Sequence, residues 1–327
     1  MAWVEPPRAP GAAHHYNASE AMSLSAVLLQ YVISGLAIGS IYALIAVGYA
    51  MIWKAMGILN FSQGQVFMLG GFFGLTGLRL MGSPLTGTLP VIAGLAVFVG
   101  GCAVVVAVLT QSMVFSPLQK RTAKERFKVN MLVSTMAVGI ILENAARLIW
   151  TSEPVGFPRI FGTRTFNFGG MFIPEQYVRI IGLAVILVCV LQLVLYKTKM
   201  GQAMRAIAQD RETAALMGVN VRQGIYGTLA ATYVLGAIAG LLVAPLLYVS
   251  FDYGPVFGLK GFTAAVVGGL GTVPGAIIGG LTLGVLENVG AGLIAPIYKN
   301  AIAFFILILV LLVKPSGLLG KKVVEKV

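Results

Sequence analysis

Long, predominantly apolar runs separated by short polar breaks set the pattern of the chain. Leu24 to Trp53 is such a run, 30 residues long, or about 45 Å as a helix. Further runs follow at Gln65–Met81, Leu89–Val114, Val129–Trp150, Tyr177–Tyr196, Ile225–Val249 and Ala301–Val313. Runs of about 20 residues are what a bilayer-crossing helix needs, whereas barrel strands show roughly ten-residue alternations. The pattern predicts an all-α integral membrane protein with about eight to nine transmembrane segments.

Two stretches interrupt the pattern. Gly57 to Gly64 reads GILNFSQG, and its Asn60, Ser62 and Gln63 are costly at membrane depth unless they line a cavity or pair internally. The second lies inside Lys260–Gly292, where Gly268, Gly269, Gly271, Pro274 and Gly275 break an apolar run. Proline removes a helix hydrogen bond and the glycines loosen the backbone. Broken or re-entrant helices are therefore expected at both places.

Charge gives the sidedness. The chain carries a net +12, and three segments hold +10 of it: +4 in 117–128, +3 in 197–224 and +3 in 314–327. Such clusters mark cytoplasmic ends and argue against a nucleic-acid partner. Segments 151–175 and 251–262 are each neutral, as expected of the opposite side. Residues 263–294 must then enter and leave on the outer side, as two short passes or one re-entrant hairpin, and the N-terminus lies outside. Hydrophobic residues make up 58% and charged residues 10% of the sequence, with a mean hydropathy of +0.90, which fits one bilayer domain over 24–320. Residues 1–23, with Pro6, Pro7 and Pro10, form a separate tail without the basic start and apolar core of a signal peptide. Met22 is the expected true start.

Within the spans, Glu143 and Arg147 stand four residues apart with the acid first, the order that pairs along a helix face. Alternatively Glu143, with Asn144, faces a watery path. Glu287 with Asn288 has no cation on its own helix, so it serves either a path or an inter-helix contact. Asn60, Gln63 and Gln65 are either path groups or caps of a broken helix. Leu142-Glu143-Asn144 recurs as Leu286-Glu287-Asn288, a trace of a two-half pseudo-repeat of the kind that brackets a midplane site in transporters.

The polar segment 197–224 carries one short helix. Asp210 is its N-cap, Glu212 lies at the positive end of the dipole, and Gly218 takes the left-handed position that ends it. Arg211, Ala214, Ala215, Leu216 and Met217 fill two turns, too few to persist alone, with an apolar surface that needs a cover. That cover is either the membrane domain itself or a groove in a partner. Cys102 and Cys189 sit in apolar runs, and adjacent His14 and His15 lie in the tail, so no disulfide or metal cluster is indicated. GGLGTVPG lacks the Lys and Ser/Thr of a phosphate loop, and no HExxH or GxSxG occurs. No enzymatic chemistry and no cofactor is expected.

Three separated stretches resemble the permeases of branched-chain amino-acid ABC importers. They are GLAIGSIYALIAVGYAMIWKAMGILNFSQGQVFMLGGF, MGQAMRAIAQDRETAALMGVNV and LKGFTAAVVGGLGTVPGAIIGGLTLGVLEN, in that order. The resemblance implies a multi-pass subunit of a bacterial inner membrane. Its partners would be a homologous second permease, two ATPase subunits and a periplasmic substrate-binding protein. Glu212-Thr213-Ala214 and Gly218 keep the spacing of the general permease pattern, with Thr for its first Ala, and Thr228 stands where that pattern has Ile. The Asp210–Gly218 helix is then the ATPase-coupling element. The substrate would be a branched-chain amino acid or, as in similar proteins, urea, a short amide or an aromatic acid. A stand-alone ion-coupled transporter is the rival reading of the same broken helices.

Overall fold

The computed structural model describes residues 24–82, 89–121, 127–158, 160, 164–168 and 171–320. The 1–23 tail, and with it the expected start at Met22, lies outside the described residues. The helices are α1 (Leu24–Met56), α2 (Gln63–Met81), α3 (Leu89–Thr110), α4 (Ser116–Arg121), α5 (Phe127–Ile149), α6 (Glu175–Lys197), α7 (Lys199–Gln209), α8 (Arg211–Leu216), α9 (Val221–Val243), α10 (Tyr253–Gly268), α11 (Val273–Leu293) and α12 (Lys299–Val313). One π-helical turn, Gln111–Phe115, joins α3 to α4. Seven of these segments are long and apolar enough to cross a membrane, against the eight to nine expected. The difference is α2 and α10, which run within the same bundle. With 19 and 16 residues, they extend about 28 and 24 Å.

Two small sheets stand at one end. β1 (Val155–Gly156) pairs antiparallel with β4 (Tyr248–Val249), and β2 (Thr165–Phe168) with β3 (Met171–Pro174). Gln30 Nε2 donates to the Phe172 carbonyl at 3.3 Å, so α1 begins at this end. The opposite end carries α7, α8 and Lys314, and by its charge it is the inner one.

Helices α1 and α9 run through the centre and are buried along most of their length, while α5, α6 and α12 present broad apolar faces outward. No hydrophobic drive separates helix from lipid, so close approach of small residues holds such a bundle together. A Cβ at Gly284 of α11 would overlap Gly39 of α1, and one at Gly70 of α2 would overlap the Ala237 carbonyl of α9. Phe67 of α2 stacks on Phe257 of α10 at 4.7 Å between centroids.

The break between α10 and α11 falls at the inner end, so 253–293 makes two passes rather than a shallow re-entrant loop. Gly269 (φ +109°) and Gly271 (φ +85°) take backbone angles that L side chains avoid. Gly268 ends α10, and Gly275 packs in the first turn of α11 against the Gly268 carbonyl. Pro274 sits in that same first turn, where a missing N–H is tolerated, so it starts α11 rather than breaking a helix. The C-terminal segment seals the break: the Leu318 and Leu319 amides donate to the Val267 and Gly268 carbonyls at 2.8 and 3.0 Å, satisfying acceptors that a helix end leaves open.

Candidate functional site

Residues 57–62 carry irregular backbone into the bundle. α1 ends at Met56 near the inner end, yet Gln63 lies level with Gly48, about two turns back along α1, where a Cβ would meet Gln63 Nε2. The chain therefore climbs beside α1 without helical bonds before α2 begins. Its polar groups are paired internally, apart from Oε1 of the adjoining Gln63, which has no partner. Asn60 Oδ1 accepts from the Ser62 amide (3.2 Å) and hydroxyl (2.7 Å), Ser62 Oγ lies 2.7 Å from Tyr233 Oη, and Gln63 Nε2 donates to the Thr232 carbonyl at 2.9 Å. Asn60 ties the turn before α2, but the N-cap position is Ser62 and no side chain caps the helix there. Asn60, Ser62 and Gln63 are fully buried.

Gln65 is directed to α5, whereas Gln63 is directed to α9, and Oε1 of each lacks a partner. Gln65 is 9% exposed. Its amide abuts Gly139 of α5, where a Cβ would lie 3.0 Å from its Oε1. One turn further along the same face of α5 stands Glu143. Gln65 and Glu143 line a cavity of about 240 Å³ with Tyr49, Phe61, Met136, Gly139, Ile140, Pro255, Gly258 and Leu259.

The expected Glu143–Arg147 pair does not form. The Arg147 guanidinium lies over the Phe251 ring, 4.8 Å from its centroid, a cation–π contact supplied by the segment that follows β4. Among the described residues Glu143 has no ion-pair partner. Asn144 is exposed and donates to the Ile140 carbonyl of its own helix at 2.8 Å, and Asn288 does the same to Gly284. Neither lines the cavity.

Glu287 is fully buried and not free. Lys260 Nζ lies 2.7 Å from its Oε1, Lys299 Nζ lies 3.8 Å away, and Tyr42 Oη donates at 3.2 Å. These groups come from α10, α12 and α1 and meet on α11. Lys260 is the residue that sequence reading misplaces. It counts as a loop charge in the neutral segment 251–262, but α10 begins at Tyr253 and buries it. The available signal is a lone lysine directly before an apolar run, which is costly in lipid and asks for an acid elsewhere.

At the inner end α8 has the expected form. Asp210 Oδ1 accepts from the Glu212 and Thr213 amides at 2.9 and 3.1 Å, and Oδ2 accepts from the Thr213 hydroxyl at 2.7 Å. These bonds, the Thr213 ones foremost, hold the Asp210 carboxyl below its ordinary value. Gly218 closes the helix at φ +81°. Ala214 is buried, whereas Ala215, Leu216 and Met217 are exposed, the last two by 87% and 80%. Met217 caps α8 rather than lying within it. A second cavity, about 530 Å³, lies between α7 and the α10–α11 break, with Lys54 and Arg205 in its wall beside Gly271, Pro274 and Gly275.

The arrangement offers a charged, part-open cavity beside irregular backbone at membrane depth, a sealed ion pair, and an exposed apolar knob on the inner side. No group of three or more metal-ligating side chains occurs among the described residues. Residues 31–311 match the family described as branched-chain amino acid transport system, permease component. The high-affinity branched-chain amino acid transport system permease protein BraD of Pseudomonas aeruginosa is 34% identical over 312 residues, 91% of this chain and 98% of that protein. LivH of Escherichia coli, of the same description, is 36% identical over 308 residues, 91% of this chain and 97% of that protein. The probable branched-chain amino acid transport permease protein LivH of Methanocaldococcus jannaschii is 26% identical over 298 residues, 86% of this chain and 89% of that protein. No solved structure matches the chain. The chain thus belongs to the family of branched-chain amino acid transport system permease components.

Proposed function

We propose that the chain is the permease subunit of an inner-membrane ABC importer for branched-chain amino acids. It works with two ATPase subunits, a periplasmic binding protein and a second, homologous permease. The observation that carries the reading is α8. Leu216 and Met217 project into water at the inner end, on a helix fixed by a three-bond aspartate cap. A short, ordered helix that presents its largest apolar side chains outward suits insertion into a partner's groove, and an ATPase subunit is the partner expected there. The second permease is supported by the exposed faces of α5 and α10, where Met136, Ile140 and Leu259 border the Glu143 cavity. A carboxylate bordering lipid would be costly, whereas a facing permease and trapped water would shelter it.

The test is uptake by proteoliposomes holding the assembled importer. Leucine, isoleucine and valine should enter only while ATP is hydrolysed. Joint replacement Leu216→Asp and Met217→Asp should abolish uptake while the chain still inserts. Uptake that survives without ATP but collapses with the ion gradient would overturn the reading in favour of an ion-coupled transporter.

A further inference from the structure

We infer that the cavity between α2, α5 and α10 is a subsite for the ammonium group of the substrate, with Glu143 and Gln65 as its acceptors. This rests on the importer reading above and goes further by naming the recognising groups. It also separates the candidate substrate classes.

The donor and acceptor inventory leads to it. Glu143 brings a carboxylate, which in its ionised form can only accept hydrogen bonds. Among the described residues it has no ion-pair partner, although Arg147 stands one turn away and turns to Phe251 instead. Gln65 adds a carbonyl oxygen that is buried and unpartnered. A buried acceptor without a partner calls for an explanation, and of the unpartnered side-chain oxygens among the described residues Gln65 Oε1 is the one whose residue lines this cavity. Gly139 lies between the two along α5, and the Gln65 amide rests against it. Two unused acceptors in one cavity, with no cation among the described residues that line it, ask for a ligand that donates, and an ammonium group donates three times with a full charge.

The remaining walls suit the rest of such a molecule. Phe61, Met136, Ile140 and Leu259 are apolar. The Tyr49 hydroxyl stands beside Gly258, about 3.5 Å from where a Cβ would be. The 240 Å³ volume equals that of about eight waters in the liquid, enough for a small aliphatic amino acid. An aromatic acid without an amine would meet the Glu143 charge with its own and be repelled.

The experiment uses the assembled importer in proteoliposomes with labelled leucine as probe. Glu143→Gln keeps size and shape but removes the charge. Gln65→Leu removes the unpartnered oxygen and leaves no orphan. Each should lower uptake at subsaturating leucine about 10- to 100-fold, the range for one hydrogen bond to a charged group. Co-purification of the ATPase subunits with each variant checks that the importer still assembles. Glu143→Asp should recover part of the loss, a rescue that a packing role would not give. Wild-type uptake in both Glu143→Gln and Gln65→Leu would overturn the subsite and leave the importer reading intact. A wild-type importer that carries none of the three branched-chain amino acids would overturn both.

Discussion

Leu142-Glu143-Asn144 on α5 and Leu286-Glu287-Asn288 on α11 are one tripeptide in two settings. In both, the asparagine donates to the carbonyl four residues back, at 2.8 Å. There the likeness stops. Glu287 is closed in by Lys260, Lys299 and Tyr42, each from a different helix. Glu143 borders a cavity and has lost its nearest cation to an aromatic ring. The same residue in the same local geometry is a fastener in one place and an open group in the other. What decides is the neighbouring helix, not the helix that carries it.

The sharpest way to break this contrast is to remove the fastener's cation. Lys260→Met leaves the buried Glu287 carboxylate with only the more distant, part-exposed Lys299 to balance it and should destabilise the permease by up to about 3–5 kcal/mol. Replacing both partners, Lys260→Met with Glu287→Leu, should recover most of that, because no orphan charge remains. Thermal unfolding of the purified chain in detergent measures both. Glu143→Gln in the same assay should stay within about 1 kcal/mol of the wild type, since no partner is left behind. A large loss there, or none for Lys260→Met, would dissolve the distinction.

A smaller effect tests how the open site is built. Gly139→Val on α5 would press a branched side chain into the Gln65 amide, which lies at contact distance from an added Cβ. Overpacking of this kind costs about 1–3 kcal/mol. It should also lower leucine uptake by shifting Gln65. Unchanged stability and uptake would mean that Gln65 moves freely and its orientation carries no function.

The contrast also marks what a sequence can reveal. Hydropathy finds the spans because each must satisfy its own backbone, and that requirement is local. The glycines at 268–275 and the Asp210–Gly218 helix are legible for the same reason, since left-handed backbone and caps depend on residues a few positions apart. Lys260 is not legible by charge counting, because its partner is 27 residues away on another helix. The Glu143–Arg147 expectation has the right spacing but omits Phe251, a competitor brought from beyond α9. The two-stranded pairing of β2 and β3 also leaves no mark in the hydropathy pattern.

A third carboxylate completes the comparison from the water side. Asp210 meets neither a cation nor a cavity but the open amides of α8, with the Thr213 hydroxyl. Its pKa is lowered in the folded chain, so the folded state holds its proton less tightly than the unfolded one. The cap is then fully present above the unfolded carboxylate value, about 3.9, and is lost as pH falls through the lower folded value. Between neutral pH and about pH 5 the seating of α8 should therefore be constant. A cysteine at position 216 joined by cross-linker to an ATPase subunit reads this directly. The yield should be flat over that window and fall only under more acid conditions. Asp210→Asn, which keeps an acceptor oxygen, should flatten the acid fall with little loss at neutral pH. Because a single turn of helix is involved, this effect should be the smallest of the set, and a cross-link yield that already declines near neutrality would assign the seating of α8 to some group other than Asp210.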